Sequence, residues 1–181
     1  DTVVVTATRT SDPLADTPVA ATVLTETFIE DARIRSLRDI DAYVPNVSFN
    51  QIGQVGGTFI TIRGIESNPF IVNRAAVYID GIPFRQPADQ ALGFAEQVEV
   101  LRGPQGTLYG ANTESGLVLV RTRAPRDTAE AEATLGARQF SGGHGQDGRL
   151  WVSGPLSSTL AGSLAASHET TDSYVRNPVS S

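Results

Sequence analysis

The sequence predicts an α+β domain followed by antiparallel strands, and three observations carry that prediction. An apolar run of helical period lies in the N-terminal third. Short β-rich segments separated by Gly- and Pro-marked turns follow it, and beyond residue 125 the pattern becomes a strict two-residue alternation.

Composition sets the bounds. Of 181 residues, 40% are hydrophobic and 19% charged, the balance of an ordered chain with enough apolar sequence for a core. A net charge of -6 argues against a general nucleic-acid binder, which presents a basic stripe. With no Cys there is no disulfide framework, thiolate metal site or cysteine nucleophile. No initiating Met, basic n-region or apolar h-region is present, so a signal peptide is expected to have been removed or left out. No stretch reaches the roughly 18 apolar residues of a membrane-spanning helix, so any membrane crossing would use strands.

The elements follow in order. Asp1, Thr2, Val3, Val4, Val5, Thr6 and Ala7 are mostly β-branched and favour an extended chain. Residues 8–18, polar and Pro-bearing, read as a linker, and residues 20–24 as a short strand. Thr25 is a helix N-cap with acid behind it at Glu26, Glu30 and Asp31. Phe28, Ile29, Ala32, Ile34, Leu37, Ile40 and Val44 then fall near a 3.6-residue period, predicting one helix that Pro45 stops. Strands are expected at 47–49, 59–63, 75–80, 97–102 and 117–122, with turns at Asp80-Gly81 and Arg102-Gly103-Pro104.

After Pro125, Ala129, Ala131, Ala133, Leu135 and Ala137 alternate with Glu130, Glu132, Thr134, Gly136 and Arg138. A Gly-rich loop is expected at 141–148, a second strand at 149–154, a turn at 155–158 and a third strand from Leu160. Alternation of this kind fits a meander on a soluble core and a membrane barrel equally well.

Longer motifs separate the two. Residues 1–7 resemble the TonB box, the peptide with which TonB-dependent outer-membrane receptors recruit an energy transducer. Ile62-Arg63-Gly64 and Val77-Tyr78-Ile79-Asp80-Gly81-Ile82-Pro83 resemble the central strand pair of such a receptor's plug. Val98-Glu99-Val100-Leu101-Arg102-Gly103-Pro104-Gln105-Gly106-Thr107-Leu108-Tyr109-Gly110 is similar to the family's most recognisable run. Val152-Ser153-Gly154-Pro155-Leu156 is similar to the first barrel strands of the siderophore-receptor type. Two positions depart from the family pattern. Where plugs usually close with Gly-Gly and a strand Asn, this chain has Glu114-Ser115-Gly116 and Leu119.

The resemblance implies an α+β plug domain followed by the first antiparallel strands of a transmembrane β-barrel that this chain does not close. Its parts would be a TonB box and linker at 1–19, a plug at 20–125 and barrel strands at 126–181. A barrel of about 22 strands, each of roughly 9–11 residues, needs about 200 residues in strands. Remaining strands are therefore expected from the same polypeptide or a second chain.

Further roles follow from the resemblance. The box would join a partner sheet by β-augmentation, with the TonB-type transducer as partner. Arg63 and Arg102 would face the barrel wall and pair with its carboxylates, Glu99 being a local alternative partner. Ligand contacts would come from loops 51–57, 66–74 and 85–91, where Gln51, Gln54, Asn68, Asn73, Arg74, Arg85 and Gln86 suit a polar or anionic chelate. A periplasmic plug N-terminus would put the 141–148 loop outside, the 155–158 turn in the periplasm, Glu130, Glu132 and Arg138 toward the lumen, and Ala131, Ala133 and Leu135 toward lipid.

No other constellation carries chemistry. Gly103, Gly106 and Gly110 lack the Gly-Lys-Ser/Thr of a P-loop, no Gly-x-Ser-x-Gly elbow is present, and His144 and His168 lack metal-ligand spacing. No enzyme, cofactor or metal is expected. The function implied is uptake of a scarce nutrient, most often an iron–siderophore complex, across the bacterial outer membrane. The alternative is a receptor-derived structural subunit that no longer transports.

Overall fold

The computed structural model describes residues 4–5, 12–13, 20–52, 57–84, 89–110, 112–140 and 143–172. They form two compact units, Asp1–Arg123 and Ala124–Ser181.

In the first unit, β1 (Val4–Val5) and β2 (Asp12–Pro13) pair with each other in a two-stranded sheet of their own. Then come β3 (Ala21–Thr25), α1 (Glu26–Asp31), a 3₁₀ helix (Leu37–Ala42), β4 (Val47–Ile52), β5 (Gly57–Ile62) and β6 (Ile65–Ser67). They are followed by β7 (Ala75–Ile79), β8 (Ile82–Phe84), a second 3₁₀ helix (Asp89–Phe94), β9 (Ala95–Arg102), α2 (Gly106–Tyr109) and β10 (Gly116–Thr122). Five strands make the main sheet, in the order β3-β9-β10-β7-β8, and β4-β5-β6 make a smaller antiparallel one. Within the main sheet β10 runs parallel to β7 and antiparallel to β9.

The single helix expected up to Val44 is instead two pieces. Arg33 takes a left-handed φ of 54°. Its N–H bonds to the Glu30 carbonyl at 3.0 Å, and the Ile34 N–H reaches the Ile29 carbonyl at 2.9 Å. That pair of bonds is a Schellman ending, completed by contact-forming apolar residues at Ile29 and Ile34, both buried. The chain restarts where the Asp39 carboxylate accepts the Arg35 and Ser36 N–H groups, each at 2.8 Å. Ile34, Leu37, Ile40 and Val44 are all buried, so the apolar period holds although the helix does not.

Two hairpins share one turn design. Arg63 and Gly64 have φ of 52° and 79°, and Asp80 and Gly81 have φ of 48° and 81°. Two consecutive positive φ values define the type I′ turn, whose twist matches that of paired strands. Arg63 therefore sits in the β5–β6 turn and not on a strand as expected. The Asp80 carboxylate also accepts from the Thr122 N–H and hydroxyl at 2.9 and 2.7 Å, tying the β7–β8 turn to the end of β10.

The main sheet buries both faces differently. Leu24, Val98, Val100, Val118, Val120, Ala75 and Val77 pack with Ile29, Ile34, Leu37, Ile40 and the small sheet's Val47, Phe49, Ile60 and Ile62. On the other face Leu101 and Leu117 are buried with Ala21, Val23, Ala76, Tyr78, Tyr109 and Leu119 against them.

The second unit is an antiparallel sheet of β11 (Glu130–Phe140), β12 (Gly143–Ser157) and β13 (Leu160–Thr171). Two expectations need correction here. The 141–148 loop is largely strand, because β12 begins at Gly143, paired with Phe140. The 155–158 turn shifts to Ser158-Thr159, since β12 runs on to Ser157, paired with Leu160. Both connections are thus short, and a difference in their lengths cannot assign inside and outside.

The register confirms the alternation. Glu130, Glu132, Thr134 and Arg138 share a face with Ser153, Trp151, Arg149 and Gly145, and with Ser163, Ala165, Ser167 and Glu169. Arg138 and Glu169 form an ion pair across that face, and Trp151 and Ser153 are buried on it. The opposite face carries Ala131, Ala133, Leu135, Leu150, Val152 and Leu164, of which Leu135 is 89% and Leu164 69% exposed. Exposed aliphatic side chains over three strands are what a lipid-facing wall presents.

Candidate functional site

Of the N-terminal box, Asp1, Thr2, Val3, Thr6 and Ala7 lie outside the described residues. Val4 and Val5 are extended, opposite Pro13 and Asp12 respectively. Val4 and Val5 take no part in the main sheet. The linker differs from expectation in that Asp12–Pro13 pairs with the box.

The three candidate ligand loops leave from adjoining strand ends. β4 ends and β5 begins on the side of the small sheet where β6 also ends. From there 68–74 cross to β7, with the Ser67 hydroxyl accepting the Arg74 N–H at 2.9 Å. Phe84 pairs with Val77, so β8 runs back toward the same start of β7. Gln54, Arg85 and Gln86 lie outside the described residues, and Gln51 is placed by its backbone alone, opposite Thr58.

The two described asparagines of these loops bond within the loop itself. Asn68 Oδ1 accepts the Phe70 N–H at 2.9 Å, and its backbone exchanges bonds with Val72 at 3.0 Å each way. Asn73 Oδ1 accepts from the Ser67 hydroxyl at 3.2 Å. These bonds build the loop. What they hold outward is Phe70, 52% exposed and 6.2 Å from the Phe59 ring, and Ile71, 80% exposed. Polar-residue reasoning missed that apolar tip; the signal was Asn68-Pro69 before three large apolar residues. Arg74 stays half-exposed, its Nε 3.9 Å from Glu114.

The two plug arginines are anchored unequally. Arg102 donates to the Pro45 carbonyl at 3.3 Å and the Thr22 hydroxyl at 3.2 Å, while its Nε is buried with no hydrogen-bond partner among the described residues. Arg63 is exposed in its turn, its guanidinium beside Gly103. Glu99 is 2% exposed and accepts from Gln97 Nε2 at 2.8 Å. Glu99 and Arg102 lie on opposite faces of β9, because three residues separate them and strand side chains alternate. Glu99 is therefore not the local partner of Arg102.

The closing segment of the plug absorbs both departures from the family pattern. Ser115 is buried, with its N–H and hydroxyl both bonded to the Arg74 carbonyl. The tight approach falls one residue later. A Cβ on Gly116 would lie 2.4 Å from the Leu101 carbonyl oxygen and 2.7 Å from Ile62 Cδ1. Leu119 packs against the Leu101–Leu117 cluster, paired between Glu99 and Tyr78.

A mixed five-stranded sheet, a satellite three-stranded sheet and a following amphipathic antiparallel sheet define the plug-and-wall class. Residues 13–117 match the sequence profile of the TonB-dependent Receptor Plug Domain, and the chain belongs to this family of outer-membrane receptors. It is 35% identical over 142 residues to the vitamin B12 transporter BtuB of Vibrio vulnificus, covering 76% of this chain and 23% of that protein. It is 30% identical over 181 residues to the pesticin receptor of Yersinia pestis, covering 98% of this chain and 26% of that protein. Among solved structures, the ferric-catecholate import receptor Fiu of Escherichia coli K12 superposes with a TM-score of 0.69 at 28% identity, over 87% of this chain and 22% of that one. The pyoverdine receptor FpvA of Pseudomonas aeruginosa shares the fold, with a TM-score of 0.73 at 22% identity over 94% of this chain and 25% of that one. The chain spans about a quarter of the length of these relatives.

Proposed function

We propose that the chain supplies the TonB box, plug and first wall strands of a receptor that takes up a scarce nutrient, most often an iron–siderophore complex. Uptake would cross the bacterial outer membrane. The observation that carries this reading is the plug fold over the matched residues, with Val4–Val5 extended outside its main sheet. Ligand binds at the ends of 51–57, 66–74 and 85–91, through the candidate amides and guanidinium groups of Gln51, Gln54, Asn68, Asn73, Arg74, Arg85 and Gln86. Binding favours release of residues 1–7 to the TonB-type transducer, which then remodels the plug. Arg63 and Arg102 pair with carboxylates of the surrounding wall, and Glu99 meets the wall from the other sheet face. The wall is completed by strands from the same or a second chain, with lipid on its apolar face.

A non-transporting, receptor-derived subunit is the second reading, motivated by Ser115 and Leu119. The hydrogen-bonded fit of Ser115 and the apolar packing of Leu119 favour the first, since neither residue disturbs the plug. Uptake of radio-iron presented as catecholate, hydroxamate and mixed chelates separates them, in cells carrying or lacking the gene. Gene-dependent accumulation that stops without a functional transducer supports transport. Accumulation independent of the gene for every chelate, and for cobalamin, favours the second reading.

A further inference from the structure

We propose that the linker parks the box: Asp12–Pro13 pairs with Val4–Val5 as a self-hairpin that competes with the transducer for the box. This rests on the reading of residues 1–7 as the transducer-binding peptide. The pairing is antiparallel, with Val5 opposite Asp12 and Val4 opposite Pro13, and it stands apart from every other sheet. It acts in two ways. It occupies one backbone edge in the middle of the peptide, and β-augmentation works through such an edge. It also shortens the tether. A free box is linked to Ala20 through residues 6–19, a reach of at most ~50 Å, whereas a parked box is linked through 14–19 only, at most ~20 Å.

The hairpin is built to yield. A two-stranded hairpin alone is marginal in water, and Pro13 brings no N–H to the ladder. The parked state therefore costs the transducer little to displace. An unpaired strand edge is an aggregation template, and parking keeps that edge covered until a partner arrives.

The test uses the full-length protein in detergent and a purified C-terminal domain of a TonB-type transducer as probe. Asp12→Pro removes a second donor from the linker and leaves residues 1–7 intact. It is expected to tighten binding by about threefold to tenfold, as the competent fraction rises. Val5→Cys with Asp12→Cys, in a chain without other cysteines, can lock the pair. Directly paired Cα atoms in antiparallel strands lie within disulfide reach. The oxidised form should bind at least tenfold more weakly than the reduced form of the same variant. Equal affinity in the locked and reduced forms, with Asp12→Pro unchanged, overturns the parked hairpin; if Val3→Pro still abolishes binding, the box reading survives. Binding indifferent to Val3→Pro removes both.

Discussion

Ser115 closes on Arg74 by donating to its one carbonyl from both the N–H at 2.9 Å and the hydroxyl at 3.0 Å. The neighbouring Gly116 has no such freedom, because its missing Cβ would overlap the Leu101 carbonyl. Ser115→Ala should therefore cost only about 1 kcal/mol, the worth of one hydrogen bond. Gly116→Ala should cost ~3 kcal/mol, since backbone has to move. Urea unfolding of the plug in the full-length protein compares the two; equal losses would mean the close approach is misplaced.

Arg33 holds the left-handed position that ends α1, where glycine is the usual occupant. An L-residue there carries about 1–2 kcal/mol of strain. Arg33→Gly recovers part of that, offset by the extra freedom of glycine in the unfolded chain. The net expectation is a gain of ~0.5 kcal/mol, read as a rise in the unfolding midpoint. A fall would mean that the guanidinium contributes more than the turn costs.

Burial pushes the Asp41 carboxyl above its ordinary 3.8, opposed by hydrogen bonds from the Phe49 N–H and Ser48 and by the charge of Arg38. A raised folded value means the proton favours the fold. Its contribution is complete below 3.8 and is lost as pH rises through the folded value. Asp41→Asn removes that charge and keeps an oxygen for the Phe49 N–H, which Asp41 holds at 2.9 Å. Wild type should thus gain on the variant as pH falls from 7 toward 3.5, in hydrogen exchange at Phe49 corrected for its intrinsic rate. Wild type losing ground to the variant over that range would reverse the assignment.

How much of this was legible beforehand depended on the kind of signal. The positions of β3, β4, β5, β7, β9 and β10 and the alternation from Glu130 to Arg138 were legible because β-branched runs and period two are local patterns, whereas the short β6 and β8 were not expected. The break at Arg33 was not, since no Gly or Pro marks it and the apolar period of Ile29, Ile34 and Leu37 continues across it. The β5–β6 turn was available: Ile62-Arg63-Gly64-Ile65 repeats the form of Ile79-Asp80-Gly81-Ile82, yet only the second was read as a turn. At the candidate site, amides were visible in the sequence but their internal use was not. Asn68 and Asn73 are engaged in bonds to Phe70 and Ser67 within the loop, which a residue inventory does not foresee.

Arg102 and Arg63 give a test of wall pairing. Arg102→Ala loses two hydrogen bonds that join β9 to β3 and to the start of β4, so it should cost about 2–3 kcal/mol. Arg63→Ala should cost less than ~0.5 kcal/mol if its guanidinium meets only solvent. Pairing with a buried wall carboxylate raises that to about 3–5 kcal/mol. Unfolding of the full-length variants decides the matter, and a loss below ~0.5 kcal/mol for Arg63→Ala removes it from the proposed wall pairs.

Val3→Pro tests the central proposal most directly. Proline removes a backbone donor from the extended peptide and disrupts strand addition, while the adjoining Val4 and Val5 lie outside the main sheet of the plug. Cells expressing the variant should bind iron chelate at their surface as wild type does, yet accumulate none of it inside. Normal accumulation in the Val3→Pro cells would contradict the account, because residues 1–7 could not then be the point of energy coupling.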